Sequence, residues 1–184
     1  LSFGHNTHNQ TAHDGYDKLT LPRLIYHLTN YKIIRMACGN EHTLALDDNK
    51  RCFSWGNNSN GQCGIGSDKL KVKHPERITS LPNDIRIVSA GADFSFFSAY
   101  KNDIYFCGKN HSFSANTNST ANTNNTTTTN NKANYDKPIK LTTCTNIMLI
   151  QDIQCGDKHA LILTKEGHVY SWGNGDVGQL GITK

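Results

Sequence analysis

The stretch Cys155–Gly181, CGDKHALILTKEGHVYSWGNGDVGQLG, decides the fold because the same frame occurs a second time. The other copy, Cys38–Gly64, reads CGNEHTLALDDNKRCFSWGNNSNGQCG. Each copy has a small residue and a glycine, a histidine three positions later, an apolar run and a short turn. A second apolar run then ends in Trp-Gly, and a Gly-Gln-x-Gly follows. An internal repeat of this kind fixes the class of fold before any single residue is considered.

Glycine pairs with one constant spacing mark both copies and a more divergent third copy: Gly39 and Gly56, Gly156 and Gly173, Gly91 and Gly108. The glycine that closes the second apolar run also occurs near the start of the chain, so that the series is Gly4, Gly56, Gly108 and Gly173. The first two intervals of this series are equal, and the third is longer. The period of about 52 residues indicates one continuous array of repeats over residues 1–184.

The longer interval contains the tract 116–134, NTNSTANTNNTTTTNNKAN, in which fifteen of 19 residues are Asn or Thr. No large apolar side chain is present to compensate the entropy of ordering, so the composition predicts a disordered insertion within a blade. Long surface insertions cost little stability, which explains how a repeat tolerates one.

The segments between turn residues predict short strands. In the inner part of each copy these are Ile33–Cys38, His42–Asp47, Arg51–Trp55, Ile85–Ala90, Phe94–Ala99, Asp103–Cys107, Ile147–Gln154, His159–Thr164 and His168–Trp172. The segments Pro22–Ile25, Pro75–Ile78 and Pro138–Leu141 predict outer edge strands, where proline leaves no ladder donor missing. Runs such as Ala160–Leu163 are apolar at consecutive positions, which is typical of strands covered on both faces.

A sheet of about four strands that is buried on both sides by similar neighbours is a blade of a β-propeller. The best helical candidate, Lys18–Tyr31, contains Pro22, which breaks a helix. The sequence therefore predicts an all-β fold of propeller blades, here an open arc of about two whole and two partial blades.

Composition limits the classes of partner and compartment. The formal net charge of +4 is spread along 184 residues, and the densest basic run, Lys69–Arg77, is interpreted as a solvated loop rather than a binding patch. Cys38 and Cys155 occupy a repeat position where the third copy has Ala90, so we expect reduced cysteines with a packing role in an intracellular protein, cytoplasmic or nuclear. No apolar run approaches the roughly 18 residues of a membrane span.

Catalytic and metal-binding motifs are not evident. The chain has no nucleophile elbow, no phosphate-binding loop and no H-E-x-x-H motif. His5, His8 and His13 have no Cys or carboxylate at ligand spacing, so they are interpreted as loop histidines. We therefore predict no catalytic residue, no cofactor and no metal.

These residues resemble the repeat of the regulator of chromosome condensation family, whose members form a seven-bladed β-propeller. The match spans nearly the whole chain outside the Asn/Thr tract. The middle copy departs from the pattern, with Phe94 for the histidine and Phe113-Ser114 for the Gly-Gln pair. The positions carrying the resemblance are expected to be structural, with glycines in tight backbone, Trp between blades, and Gln and His bonding loop backbone: Gly39, His42, Trp55, Gly56, Gly61, Gln62, Gly64, Gly91, Gly108, Gly156, His159, Trp172, Gly173, Gly178, Gln179 and Gly181.

Three functions are compatible with this resemblance. The first is a non-catalytic module that binds partner proteins through its loops. The second is guanine-nucleotide exchange on a Ran-type small GTPase together with chromatin binding, which the resemblance implies for some family members; none of the contacting residues is identified here. The third, an enzyme built on a propeller, is disfavoured because no acid, base or metal set is clustered.

A closed ring of seven blades with this period needs roughly twice this chain, since a propeller protects its sheet edges only when the ring closes. We therefore expect the chain to be part of a longer protein and to melt without sharp cooperativity when isolated.

Overall fold

A computed structural model describes residues 1–113, 134–141 and 149–182. Within these ranges the chain forms thirteen β-strands and one 3-10 turn, Tyr26–Leu28. The strands are β1 (Ser2–His5), β2 (Lys18–Arg23), β3 (Ile33–Cys38), β4 (His42–Asp47), β5 (Cys52–Asn57), β6 (Lys71–Arg77), β7 (Ile85–Ala90), β8 (Phe94–Ala99), β9 (Ile104–Lys109), β10 (Asn134–Lys140), β11 (Ile150–Cys155), β12 (His159–Thr164) and β13 (Val169–Gly173).

The strands form four antiparallel sheets that follow one another along the chain. Blade 1 contains β1 and β2, blade 2 contains β3 to β6, blade 3 contains β7 to β10, and blade 4 contains β11 to β13. In each sheet every strand pairs with its neighbour in sequence, as in a meander. The predicted all-β arc of propeller blades is therefore confirmed, with two four-stranded blades between two smaller sheets.

The repeat positions occupy equivalent places in the sheets. His42 pairs with Gly56 across β4 and β5. Phe94 pairs with Gly108 in blade 3, and His159 pairs with Gly173 in blade 4. The constant spacing between the paired glycines of the sequence thus reflects one constant strand register.

The consecutive apolar residues of the second strands are explained by burial on both faces. Leu44 and Leu46 belong to the core between blades 2 and 3, whereas Ala45 belongs to the core between blades 1 and 2. Along a strand successive side chains point to opposite faces, so each blade contributes to two cores at once. The arc therefore has its hydrophobic cores at the seams between blades.

The seam between blades 3 and 4 is mainly aromatic. Phe113 replaces the glycine of the Gly-Gln pair, and its ring centroid lies 5.4 Å from that of Trp172 in blade 4. Phe96 also contacts Trp172, at 5.7 Å between centroids. The divergent copy thus adds an aromatic ring to this seam at a position where blades 2 and 4 have glycine.

The outer strands differ from the predicted bounds. Pro22, Pro75 and Pro138 each lie at a register irregularity of the outer strand, where a missing N–H donor is tolerated. The outer strands begin well before these prolines, and the basic run predicted as a loop is instead largely β6. Each outer strand pairs with the neighbouring strand over residues that precede its proline, so the strand is longer than the position of the proline predicted.

Two further predictions concern segments at the limits of the structure. The Asn/Thr tract lies outside the described residues, except that Asn134 is the first residue of β10. The first two residues of the predicted strand Ile147–Gln154 are also outside them, and β11 begins at Ile150. Pro22 lies in β2, so Lys18–Tyr31 forms no α-helix. Among the described residues, no helix is both long enough and apolar enough to cross a membrane.

A matched pair of glycines tests the constraint on the strand register. Gly4 and Gly56 have nearly the same φ, 107° and 106°. A Cβ on Gly56 would lie 2.4 Å from the Glu41 carbonyl oxygen, whereas nothing lies within 4 Å of a Cβ on Gly4. We expect Gly56→Ala to lower the free energy of unfolding by more than about 3 kcal/mol, and Gly4→Ala by only about 1 kcal/mol. Urea denaturation measures both, and equal losses would contradict the role of close backbone approach.

Candidate functional site

The histidine of the repeat lies directly over the glycine that precedes it by three residues. A Cβ on Gly39 would be 2.3 Å from His42 Cε1, and one on Gly156 would be 2.1 Å from His159 Cε1. In blade 3 the ring of Phe94 occupies the same space over Gly91. Because a phenyl ring fits where imidazole stands in the other copies, this position requires a flat ring rather than a titratable group.

The glutamines of the repeat bond to the backbone of their own loops. Gln62 Oε1 accepts a hydrogen bond from the Asn60 N–H at 2.9 Å, and Gln179 Oε1 accepts one from the Val177 N–H at 3.0 Å. Gln10 repeats the contact in the first loop. These bonds satisfy backbone donors within the turns.

The carbonyl of the same glutamine holds the next blade. Ser95 Oγ donates to the Gln62 carbonyl at 2.7 Å. One seam earlier, Thr43 Oγ1 and Trp55 Nε1 donate to the Gln10 carbonyl at 3.0 Å and 2.8 Å. Ser95 and Thr43 occupy the same repeat position, one residue after the ring, so the contact is the same at these two seams, whereas blade 4 has Ala160 there.

His42 completes this contact through a side chain, not through loop backbone. Its Nε2 lies 2.9 Å from Ser95 Oγ. Since the Ser95 hydrogen is donated to Gln62, His42 Nε2 carries the proton and donates to Ser95 Oγ. At this atom the partner is a side-chain hydroxyl, whereas the sequence predicted loop backbone.

A recurring geometry in the loops was missed by the sequence reasoning. Asn58 Oδ1 accepts from the Cys63 N–H at 3.0 Å, and Asn58 Nδ2 donates to the Lys69 carbonyl at 2.8 Å. Asn6 makes the equivalent bonds in the first loop. The signal was available, because Gly-x-Asn occurs at 4–6, 56–58 and 108–110. These asparagines fix the long loops that leave the third strands.

The Ser95–His42 pair has the geometry of a nucleophile and its base but not the accessibility. Ser95 is fully buried and His42 is 1% exposed. Burial lowers the pKa of His42 to about 4, against the weaker opposing effect of Asp93. A base that no substrate reaches, next to a hydroxyl already donating to Gln62, does not activate a nucleophile.

The described cysteines are free thiols. Burial raises the pKa values of Cys52 and Cys63 to about 12, which leaves these thiols protonated and unreactive. Cys38 differs from the expected packing role, since it is exposed. Together with Cys155 it lines a cavity of about 260 Å³ formed by three equivalent turns, 38–40, 90–92 and 155–157.

Two of the N-terminal histidines approach one hydroxyl. His5 Nδ1 and His8 Nδ1 lie 3.3 Å and 3.2 Å from Thr7 Oγ1, and His8 Nδ1 also contacts Glu41 Oε1 at 3.1 Å. Across residues 1–113, 134–141 and 149–182 no three His, Cys, Asp or Glu side chains are arranged to hold a metal ion.

Much of the basic run is paired with its surroundings. Lys69 Nζ contacts Glu76 Oε1 at 2.7 Å, and His74 Nε2 contacts Asp14 Oδ2 at 3.2 Å. Lys71 Nζ donates to the Thr7 carbonyl at 2.9 Å, which joins blades 2 and 1. These contacts give the run a role at the seam between blades 1 and 2.

The contact between blades 2 and 3 is tested by removing one hydroxyl. Ser95→Ala leaves the His42 N–H buried without a partner and the Gln62 carbonyl with only the weak donor Cys107 Sγ at 3.5 Å, so the free energy of unfolding should fall by about 2 kcal/mol. Ser98 is equally buried, but its hydroxyl makes only a local contact of 3.4 Å to the Ala99 carbonyl. Ser98→Ala should therefore cost about 1 kcal/mol or less, and a reversed order in urea denaturation would contradict the contact's importance.

The buried imidazole predicts a pH dependence of stability. Between about pH 6.5 and pH 4 the unfolded chain binds a proton at His42 that the folded chain excludes, so stability falls as pH falls through this window, by about 3 kcal/mol in total. His42→Phe, which introduces the side chain that blade 3 has at position 94, should remove this part of the pH slope whatever its effect at neutral pH. His168→Asn, at an exposed histidine, should keep it. Urea midpoints at several pH values measure the slope.

Comparison with protein families matches the repeat frame. A model described as "Regulator of chromosome condensation (RCC1) repeat" matches residues 1–46 and 50–98. A second model with the same description matches residues 33–62 and 150–179. Together they cover the copies from which the repeat was first inferred.

Curated relatives are much longer than this chain. The probable E3 ubiquitin-protein ligase HERC6 of Homo sapiens is 33% identical over 88% of this chain, which spans 15% of the relative. Protein RCC2 of Mus musculus is 30% identical over 98% of this chain, which spans 37% of the relative.

Solved structures share the architecture. Human WBSCR16 superposes with a TM-score of 0.80 at 20% identity, over 99% of this chain and 44% of that one. Yeast RCC1 (Prp20), solved with Kap60 bound, gives 0.75 at 26% identity over 98% and 41%. Prp20p of Saccharomyces cerevisiae, described with its binding properties to Gsp1p and histones, gives 0.70 at 23% identity over 99% and 42%. With its repeats matched over more than half its length, this chain belongs to the regulator of chromosome condensation repeat family.

Proposed function

We propose that the chain is a non-catalytic β-propeller module that binds partner proteins through the loops between its strands. The observation that carries the proposal is the buried contact of His42, Ser95 and the Gln62 carbonyl, which uses the repeat's polar groups to join blades. The repeat residues then serve the scaffold, and recognition falls to the turns and loops, which differ from blade to blade.

The relatives support a protein partner more than a chemical activity. Yeast RCC1 (Prp20) has been solved with Kap60 bound, and it is 26% identical to this chain. HERC6 is described as a probable ubiquitin ligase, but this chain spans only 15% of it, so ligase activity is not part of the proposal. A cytoplasmic or nuclear location is part of it.

The second candidate is guanine-nucleotide exchange on a Ran-type small GTPase combined with chromatin binding. Prp20p is described with its binding properties to Gsp1p and histones, so these proteins are suitable probes for this chain. One experiment separates the two candidates, because nucleotide exchange accelerates the release of GDP from the GTPase, whereas simple binding leaves that rate unchanged.

The test measures binding and exchange with the same proteins. Kap60, GDP-loaded Gsp1p and histones are titrated against the immobilised chain, and release of fluorescent GDP from Gsp1p is followed with the chain in excess. We expect saturable one-to-one binding to at least one of these proteins and an unchanged GDP release rate. Acceleration of release by ten-fold or more would replace the first candidate by the second. Absence of binding to all three would contradict a module that recognises the partners of its relatives.

A further inference from the structure

An exposed tyrosine lies at the seam between blades 2 and 3. It is at the end of the arc where the turn between the second and third strand of each blade is found. Tyr100 lies in the turn after β8 and is 60% exposed. Lys50, in the equivalent turn of blade 2, places its Nζ 5.7 Å from the centre of the Tyr100 ring. Two turns that are distant in sequence thus form one continuous surface.

Arginine side chains add positive charge next to this tyrosine. Arg86 Nε donates to the Ala99 carbonyl at 3.3 Å, and its guanidinium also donates to the Ile150 carbonyl. The pKa of Arg86 is lowered mainly by burial; Tyr100 opposes this effect, and the charge of Arg35 adds to it. Arg35 lies on β3, which packs against β7, the strand that carries Arg86, and its side chain is exposed to a ligand.

Three carboxylates near this surface are each in an ion pair. Asp47 contacts Arg51 at 2.6 Å, Asp48 contacts Lys32 at 4.0 Å, and Asp103 contacts Lys140 at 2.8 Å. By contrast, no described carboxylate forms an ion pair with Arg35, Lys50 or Lys101, the exposed lysine that follows Tyr100. The surface therefore carries three cations without an ion-pair partner in the described part of the chain, beside one such carboxylate, Asp84, whose backbone carbonyl accepts from the Tyr100 N–H at 3.2 Å.

We infer that Arg35, Lys50, Tyr100 and Lys101 form a docking surface for an acidic, extended segment of a partner protein. A rigid exposed tyrosine provides apolar contact area and a hydroxyl, and such side chains anchor protein interfaces. The surrounding cations match carboxylates and increase the association rate. This inference rests on the proposed protein-binding function and assigns it a place on the arc.

Charge arrangement favours a protein segment over nucleic acid. A nucleic-acid backbone requires a continuous basic stripe, and its binding is dominated by phosphate contacts. Here Asp48 and Asp103 lie in the same two turns as Lys50 and Lys101, so the cations form a short patch between carboxylates rather than a continuous stripe. A short peptide can place its carboxylates against the lysines alone.

The probe is a fluorescein-labelled peptide of twelve residues with alternating Glu and Ala, compared with the same peptide with Gln in place of Glu. Fluorescence anisotropy with the full chain measures affinity at low salt and at physiological salt. The test variant is Lys50→Asn with Lys101→Gln, since Asn suits the positive φ of 66° at position 50. The matched control, Lys18→Gln with Lys73→Gln, removes the same charge from two exposed lysines on outer strands.

We expect the test pair to weaken binding of the acidic peptide at least ten-fold and the control pair to change it less than two-fold. Tyr100→Ala should weaken binding at least five-fold, whereas Tyr26→Ala, at a tyrosine that is 76% exposed, should not. Equal losses in both lysine pairs would overturn the docking surface in favour of diffuse attraction. Tighter binding of a twelve-nucleotide oligothymidine, with the same dependence on Lys50 and Lys101, would overturn it in favour of nucleic acid.

The outcome separates this surface from the proposed function. If the acidic peptide fails to bind while Kap60, Gsp1p or histones bind the chain, the docking surface is wrong and the module function stands. If none of these proteins binds, the proposed function fails independently of the peptide result.

Discussion

The hydrogen bond from a second-strand hydroxyl to the carbonyl of the preceding loop's glutamine is the contact on which the first two seams of the arc depend. Ser95 reaches the Gln62 carbonyl, and Thr43 reaches the Gln10 carbonyl. Blades 2 and 3 each pack against a neighbouring blade on both faces. At the first two seams, the loop after the third strand contacts the next blade and places the glutamine carbonyl in the buried seam between them. Leaving that buried carbonyl without a donor costs about 1–3 kcal/mol, which exceeds the net contribution of a typical hydrogen bond, so the bond both joins the blades and favours one alignment.

Glycine makes this geometry available in two different ways. At Gly39 the absence of a Cβ leaves space for the ring of His42, and at Gly56 it allows the Glu41 carbonyl to approach while φ is positive. The same ring position accepts Phe94, and the neighbouring seam is then filled by Phe113 against Trp172. The blades therefore share a shape, while the chemistry of each seam differs.

Burial separates the chemically capable residues from solvent. His42, Ser95 and the thiols of Cys52 and Cys63 have the groups that enzymes use, but each is enclosed in a seam. The polar groups that remain accessible to solvent lie in turns. There Tyr100 of blade 3 meets Lys50 of blade 2. This distribution is what a binding module needs, because the scaffold keeps its shape while exposed turns vary.

The sequence alone determined the repeat, the all-β class and the starts of the inner strands at Ile33, Ile85, Phe94 and His159, because apolar patterns and turn glycines are local signals. Tertiary structure decided what depends on distant partners. The outer strand begins at Lys71 rather than Pro75 because β5 supplies the pairing edge. His42 bonds Ser95 in the following blade, and Lys50 meets Tyr100 only because two blades stack. No local sequence pattern predicts such pairs, because the partner is determined by how the next blade packs and not by the residues adjacent in sequence.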